Sequence, residues 1–265
     1  MKKNYSTCIL GSKIILVPYR PEHIPTYHKW MQSPFLLQMT ASEPLSIEEE
    51  IKMQEEWYND DNKCTFIVLV KYTCCSNSVI CQDFIKSVVE DKQTGSSDHH
   101  DGSDNCEESK FDFINETLDA MIGDVNLFLS EIDMNDDDDD DGGDGDSTHN
   151  LETKSNTNNN EGGIQAELDI MIAEENYRRQ GMGKEATLLM MIYGAQNLNI
   201  RRFIVKINED NDASMQMFKT LGFRVCNYAE CFREYELELC FDRCEEMIEA
   251  VKKLYQSKVY EWKLP

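Results

Sequence analysis

The stretch YRRQGMGK at residues 177–184 lies between a strand-like run, ELDIMIA (167–173), and a helix-like run, KEATLLMMIYGAQNL (184–198). Two glycines one residue apart sit where a strand turns into a helix, with Arg178, Arg179 and Lys184 around them. The first turn of a helix leaves backbone N–H groups without partners at the positive end of the helix dipole. Gly181 and Gly183 carry no Cβ atom to hold a ligand away from those groups. The turn therefore suits an anion, a phosphate or pyrophosphate in particular. The plainer alternative is a strand–helix connection whose glycines only start the helix. The two commonest phosphate loops do not fit: Gly-x-x-x-x-Gly-Lys-Ser/Thr is absent, and Gly-x-Gly-x-x-Gly lacks its first glycine.

Outward from this turn, strands and helices alternate. KIILVPY (13–19) reads as a strand and residues 20–31 as a helix led by Pro21. SIEEEIKMQEEWY (46–58) is an amphipathic helix with Ser46 as N-cap and Glu49 completing a capping box. KCTFIVLV (63–70) and MIGDVNLFLS (121–130) read as strands. After the turn come a helix over 184–198, a strand at 201–207, and a short helix from near Asn211 to Gly222 as its C′ residue. Residues 225–239 read as two strands with a bend, and 240–260 as a C-terminal helix. The pattern is α/β, with a sheet of mixed direction flanked by helices.

The formal net charge of −24 is localised. Residues 83–119 carry 11 acidic and 3 basic side chains, and residues 131–163 carry 12 and 1. Those two segments hold −19, leaving an ordinary, mildly acidic globular protein. Residues 71–120 and 131–163 read as acidic low-complexity insertions that cannot bury enough apolar surface to offset chain entropy, and are expected to be disordered. A calcium loop in NDDDDDDGGDGD (135–146) lacks its closing glutamate. The charge argues against nucleic acid. No apolar run reaches the roughly 20 residues that span a bilayer. The ten cysteines include no CxxC pair, and no secretory segment follows the start, which points to reduced thiols in a cytoplasmic protein without a metal site.

The arrangement Arg178-x-x-Gly181-x-Gly183 resembles the acetyl-CoA pyrophosphate loop of the GCN5-related N-acetyltransferase superfamily. Asn211-x-x-Ser214, with Phe218 and Leu-Gly-Phe at 221–223, is similar to that superfamily's second cofactor motif. LVPY (16–19), EHIPTYHKWM (22–31), TASEPLSIEEE (40–50), KCTFIVL (63–69), IGDVNLFL (122–129) and ELDIMIAE (167–174) resemble the N-acetyltransferase 9 group more narrowly. The resemblance implies the superfamily's mostly antiparallel fold, a single catalytic domain over 8–240 and a helical extension over 241–265. It also implies acetyl-CoA-dependent acetylation of protein N-termini, with α- and β-tubulin as substrates and microtubules as partner. It places the pantetheine contacts on the backbone of Met171, Ile172 and Ala173. The pyrophosphate falls on Arg178, Arg179, Gln180, Gly181, Met182, Gly183 and Lys184, and the cofactor's other side on Asn211 and Ser214.

Acetyl transfer needs a base for the ammonium and benefits from an acid for the leaving thiolate. Glu167 and Asp169 lie two apart on one strand, so they share a face. Either is a candidate base, against the plainer alternative that both are solvent-facing strand positions. Glu43 in TASEPL is a third candidate, near where relatives bind the substrate terminus. The acid is in doubt: many relatives carry a tyrosine where this sequence has Phe218, so Tyr228 or water would substitute. A binding protein with little catalysis, or an acetyltransferase of small amines, are the competing readings. His23 and His28 flank a helix and read as structural.

Overall fold

The computed structural model describes residues 1–71, 117–132, 163–255 and 259–263. The expectations for most of the two acidic insertions fall outside these residues. A single sheet dominates, in the order β7-β8-β6-β5-β4-β3-β2-β1-β9. Its strands are β1 (Thr7–Leu10), β2 (Ile14–Pro18), β3 (Lys63–Val70), β4 (Met121–Glu131), β5 (Ile164–Ile172), β6 (Ile200–Asn208), β7 (Arg224–Ala229), β8 (Glu234–Cys240) and β9 (Tyr260–Lys263). Every neighbouring pair is antiparallel except β5 and β6, which run parallel.

Alternation along the strands sorts the two faces of the sheet. Phe66, Leu127 and Phe203 face α4 (Met182–Asn197), where the Phe66 ring meets Tyr193 edge-on at 5.2 Å. A Cβ on Gly194 would lie 2.9–3.3 Å from Ile200, Phe203 and Leu127, so the missing side chain lets α4 lie close on the sheet. Nearly all of α4 is buried, as expected of a helix that is apolar all round. α1 (Ile24–Trp30) and α3 (Ile47–Asn59) meet the other face, through Tyr27 on Asp124 and Trp57 on Lys63, and α2 (Pro34–Met39) joins them in the chain. Ser46 caps α3 with the reciprocal Glu49 bond, as the sequence predicts.

Two departures stand out. The C-terminal helix is shorter than the expected 240–260: α6 covers Cys244–Tyr255 and packs on α4, behind α5 (Asp212–Thr220) in chain order. The chain then returns as β9, whose backbone pairs with β1 from Thr7↔Lys263 to Leu10↔Tyr260. The C-terminal segment is therefore part of the sheet rather than a purely helical extension. Amphipathic spacing carried the reading past Tyr255, whereas a four-residue edge strand has too few positions to show a period.

Candidate active site

The parallel pair is where the sheet opens. β5 and β6 are paired only from Ile164↔Ile200 to Glu167↔Ile204, and beyond Glu167 the two strands part. Meanwhile β5 stays paired to β4 along its length, from Glu131↔Ile164 to Gly123↔Ile172. A cleft of about 370 Å³ passes through this split. It is lined by residues of both sheet faces, including Leu168, Ile170 and Val205 from one and Asp124, Asp169 and Lys206 from the other.

Backbone directions along β5 follow from its two ends. Ile132 N–H donates to the Gly163 carbonyl, and Ala173 N–H donates to the Ile122 carbonyl. Odd-numbered residues of β5 thus turn their backbone groups to β4, and even-numbered ones to β6. Gly123 agrees with this, since a side chain there would run into the Met171 carbonyl. Met171 and Ala173 turn toward β4, with the Ala173 N–H on the Ile122 carbonyl, so these backbone groups point away from the split. Met171 nonetheless lines the cleft. The groups facing the split belong to Ile170, which sequence reasoning missed, and to the Ile172 N–H, since the Ile172 carbonyl is taken by Arg178.

Past β5 the chain makes the anion turn. Arg178 is not turned outward: its Nε donates to the Ile172 carbonyl at 2.8 Å and its Nη2 to the Ala173 carbonyl at 2.7 Å. Its guanidinium pins the end of β5 to the loop through Nε and Nη2. Arg179 is exposed, with φ of 58°. Such a conformation is costly for a non-glycine residue and collects at functional loops. Gly181 is the N-cap of α4 at φ 81° and ψ 7°, and no side chain caps the helix. The first-turn N–H groups at Met182, Gly183 and Lys184 are therefore left for a ligand. A Cβ at Gly183 would touch only Ile172 at 3.4 Å and Ile170 at 3.9 Å, on the wall of the split. Lys13, from the β1–β2 turn, donates from Nζ to the Gln180 carbonyl at 2.8 Å and adds a cation that no motif flagged. The turn holding Lys13 is clamped from below. Glu185 accepts from the N–H groups of Ser12 and Lys13, and from the Tyr255 hydroxyl of α6 at 2.8 Å. Across the split, Asn211 caps α5 by accepting from Ser214 N–H at 3.1 Å, and both residues line the cleft.

On the other face the cleft floor is acidic. Glu167 is paired with Lys206 at 2.6 Å. Asp169 makes no ion pair or hydrogen bond among the described residues; it meets solvent through the cleft while strands pack around it. Burial, and then the neighbouring Glu167, push its carboxyl above the usual range. Asp124 is buried, accepting from Asn126 Nδ2 at 2.7 Å and from the Tyr27 hydroxyl at 3.4 Å. Burial also raises its carboxyl. Neither Asp124, Asn126 nor Tyr27 carries a sequence signal, because strand β4 reads as an ordinary buried run.

The remaining candidates separate cleanly. Glu43 is exposed at the rim, and the lining of the cleft stops at Ser42. Its loop lines the cleft through Thr40, Ala41 and Ser42. Phe218 does line the cleft, stacked edge-on with Phe223 at 5.1 Å, and offers no proton. Tyr228 does not replace it, since it stands outside the lining with its hydroxyl donating to Glu209 at 2.6 Å. That bond pushes its phenol up to about 12. His23 accepts from the Arg20 N–H at 3.0 Å and is driven down to about 3 by burial, and then by Arg20, consistent with a structural role. Among the described residues no group of His, Cys, Asp and Glu could hold a metal, and no helix is long and apolar enough to cross a membrane.

The acetyltransferase (GNAT) domain family matches residues 108–224. The "N-acetyltransferase 9-like protein" of Nematostella vectensis is 36% identical over 255 residues, covering 96% of this chain and 96% of the relative. The "Alpha/beta-tubulin-N-acetyltransferase 9" of Mus musculus is 33% identical over 245 residues, covering 92% of this chain and 76% of the relative. Among solved structures, the spermidine N-acetyltransferase of Vibrio cholerae in complex with CoA and spermine aligns with a TM-score of 0.52, over 89% of this chain and 99% of that one. At 12% identity this likeness speaks for the fold alone.

Proposed function

We propose, from the premise that this chain belongs to the N-acetyltransferase 9-like family of GNAT acetyltransferases, that it acetylates the N-terminal α-amino groups of α- and β-tubulin. The observation that carries the reading is the cleft that passes through the sheet, with an anion turn on one side and the unpaired carboxylate of Asp169 on the other. Acetyl-CoA, when bound, supplies the activated acetyl group. The uncapped first turn of α4 fits its pyrophosphate, with Arg179, Lys184 and Lys13 adding positive charge. The Ile170 backbone and the Ile172 N–H hold the pantetheine arm on one wall of the split, and Asn211 and Ser214 meet it on the other.

The acidic floor favours an incoming ammonium over an anion. An α-amino group has a pKa near 8, so a useful neutral fraction exists at pH 7 and proton removal is a modest task. Asp169 is the base: its carboxylate is unpaired, faces the cleft and has a raised proton affinity. Glu167 is held by Lys206 and serves to fix that lysine at the split. No side chain takes the acid's role at Phe218, and none is required, since a thiol ionises near pH 8.5 and its thiolate leaves readily. The tubulin named for several relatives supports a cytoplasmic setting with microtubules as partner.

The test compares turnover of acetyl-CoA on tubulin N-terminal peptides with turnover on polyamines. Preference for the peptides supports the proposal. Preference for polyamines would make the protein a small-amine acetyltransferase, and tight peptide binding without turnover would make it a binding module.

A further inference from the structure

One buried charge near the site has no role in the mechanism above. Lys63, at the start of β3, is 3% exposed, yet it lines the cleft and its Nζ makes no hydrogen bond. An unpaired ammonium in such a place is costly, and lysine is among the residues least often fully buried. The position is built, however. The Nζ sits 3.8 Å from the centre of the Trp57 ring and 3.3 Å from that of Phe128, so two aromatic faces cage it. Asp124 has an unpartnered oxygen too, Oδ1, at the same floor.

Asp169 is surrounded by charges from five strands: Lys63 on β3, Asp124 on β4, Glu167 on β5, Lys206 on β6 and Glu234 on β8. Tyr27 of α1 and Asn126 of β4 complete the surroundings of Asp124 through hydrogen bonds. Lys206 is neutralised by Glu167. Among these groups, Lys63 is the one cation outside an ion pair, and the acidic groups near it are Asp124, Asp169 and Asp60. Carboxylates gathered without a cation take up a proton, and a protonated base cannot act.

We propose that Lys63 is a positioning residue for acetyl transfer: its caged ammonium is the fixed counter-charge that keeps Asp124 and Asp169 as carboxylates on the cleft floor. Burial lowers its own proton affinity, while Asp124 and Asp169 raise it, so the three groups are mutually dependent. The role acts through Asp169 and rests on the reading of that residue as the base. The cage explains why an ammonium is held here without hydrogen bonds. A hydrogen-bonded lysine would be drawn onto one carboxylate, whereas a caged one serves both.

The experiment measures two quantities on the full chain: the ¹³C carboxyl titration of Asp169 without substrate, and the acid limb of kcat/KM for a tubulin N-terminal peptide. Lys63→Met keeps the length and the aromatic packing but removes the charge. Both the titration and the acid limb are expected to move to higher pH by about one unit, the scale for losing a nearby opposite charge. Lys63→Arg, which keeps the charge and stacks on rings, should hold both near wild type. If Lys63→Met does not fold, Lys63→Gln takes its place with the same readout. An Asp169 titration unmoved by loss of the charge overturns the proposal. A titration that moves while the acid limb stays put would instead overturn Asp169 as the base and leave the counter-charge role standing.

Discussion

Replacing Gly181 with valine is the sharpest perturbation of the anion turn. Gly181 holds φ 81° and ψ 7° as the N-cap of α4. A non-glycine residue pays roughly 1–2 kcal/mol to stay in the left-handed region, and a β-branched one more. Space is not the obstacle, since the nearest atom to a Cβ there is the end of the Lys13 side chain, at 3.4 Å. The loop is exposed and can relax, so the conformation that presents the first-turn N–H groups becomes a minor state. Apparent affinity falls by the fraction that remains competent, and about 1.4 kcal/mol is tenfold. Calorimetry should therefore show acetyl-CoA binding at least tenfold weaker, with the melting temperature down by no more than about 4–8 °C. Gly222→Val is the control. Its φ of 97° carries the same strain at the end of α5, where a Cβ would meet only Leu239 at 3.8 Å. That variant should lose stability and keep its affinity. Wild-type affinity in Gly181→Val would refute the assignment of this turn to the cofactor.

Two further outcomes follow from the cleft and its supports. Asp169→Asn should lose on the order of 10²-fold in kcat with acetyl-CoA affinity intact, while Glu167→Gln loses much less. The wild-type rate should fall as pH is lowered through the raised Asp169 ionisation, and the deficit of Asp169→Asn should shrink at high pH, where the amine arrives neutral. Equal, wild-type rates in both variants would remove this pair from consideration. Tyr255→Phe takes one partner each from Ser12 N–H and buried Glu185, a cost of about 1–2 kcal/mol, visible as a melting temperature lower by roughly 2–8 °C. An unchanged melting temperature would show that α6 does not brace the β1–β2 turn.

Much of the fold was written in local patterns. The α3 capping box, the β3 run and the Asn211 cap were readable because each signal lies within a few residues. The short elements were not: α2 spans Pro34–Met39, β1 spans Thr7–Leu10, and both owe their form to what they pack against. The site divides in the same way. Gly181 and Gly183 announced the turn because their chemistry is in the backbone. The parity of β5, which hands the split to Ile170 rather than Met171, depends on its pairing with β4 and leaves no trace in the sequence. Lys63 looked like an ordinary strand start. Only the convergence of Trp57 from α3 and Phe128 from β4 turns it into a caged charge. Tyr228 was a reasonable stand-in for a missing acid until the fold tied it to Glu209.

The measurement closest to the central claim is the position of acetylation on whole tubulin, located by mass spectrometry after incubation with acetyl-CoA and the purified protein. The account predicts acetyl groups on the α-amino termini of both α- and β-tubulin with the wild type, and a large loss with Asp169→Asn. Acetylation confined to lysine side chains, or none above the protein-free control, would contradict it.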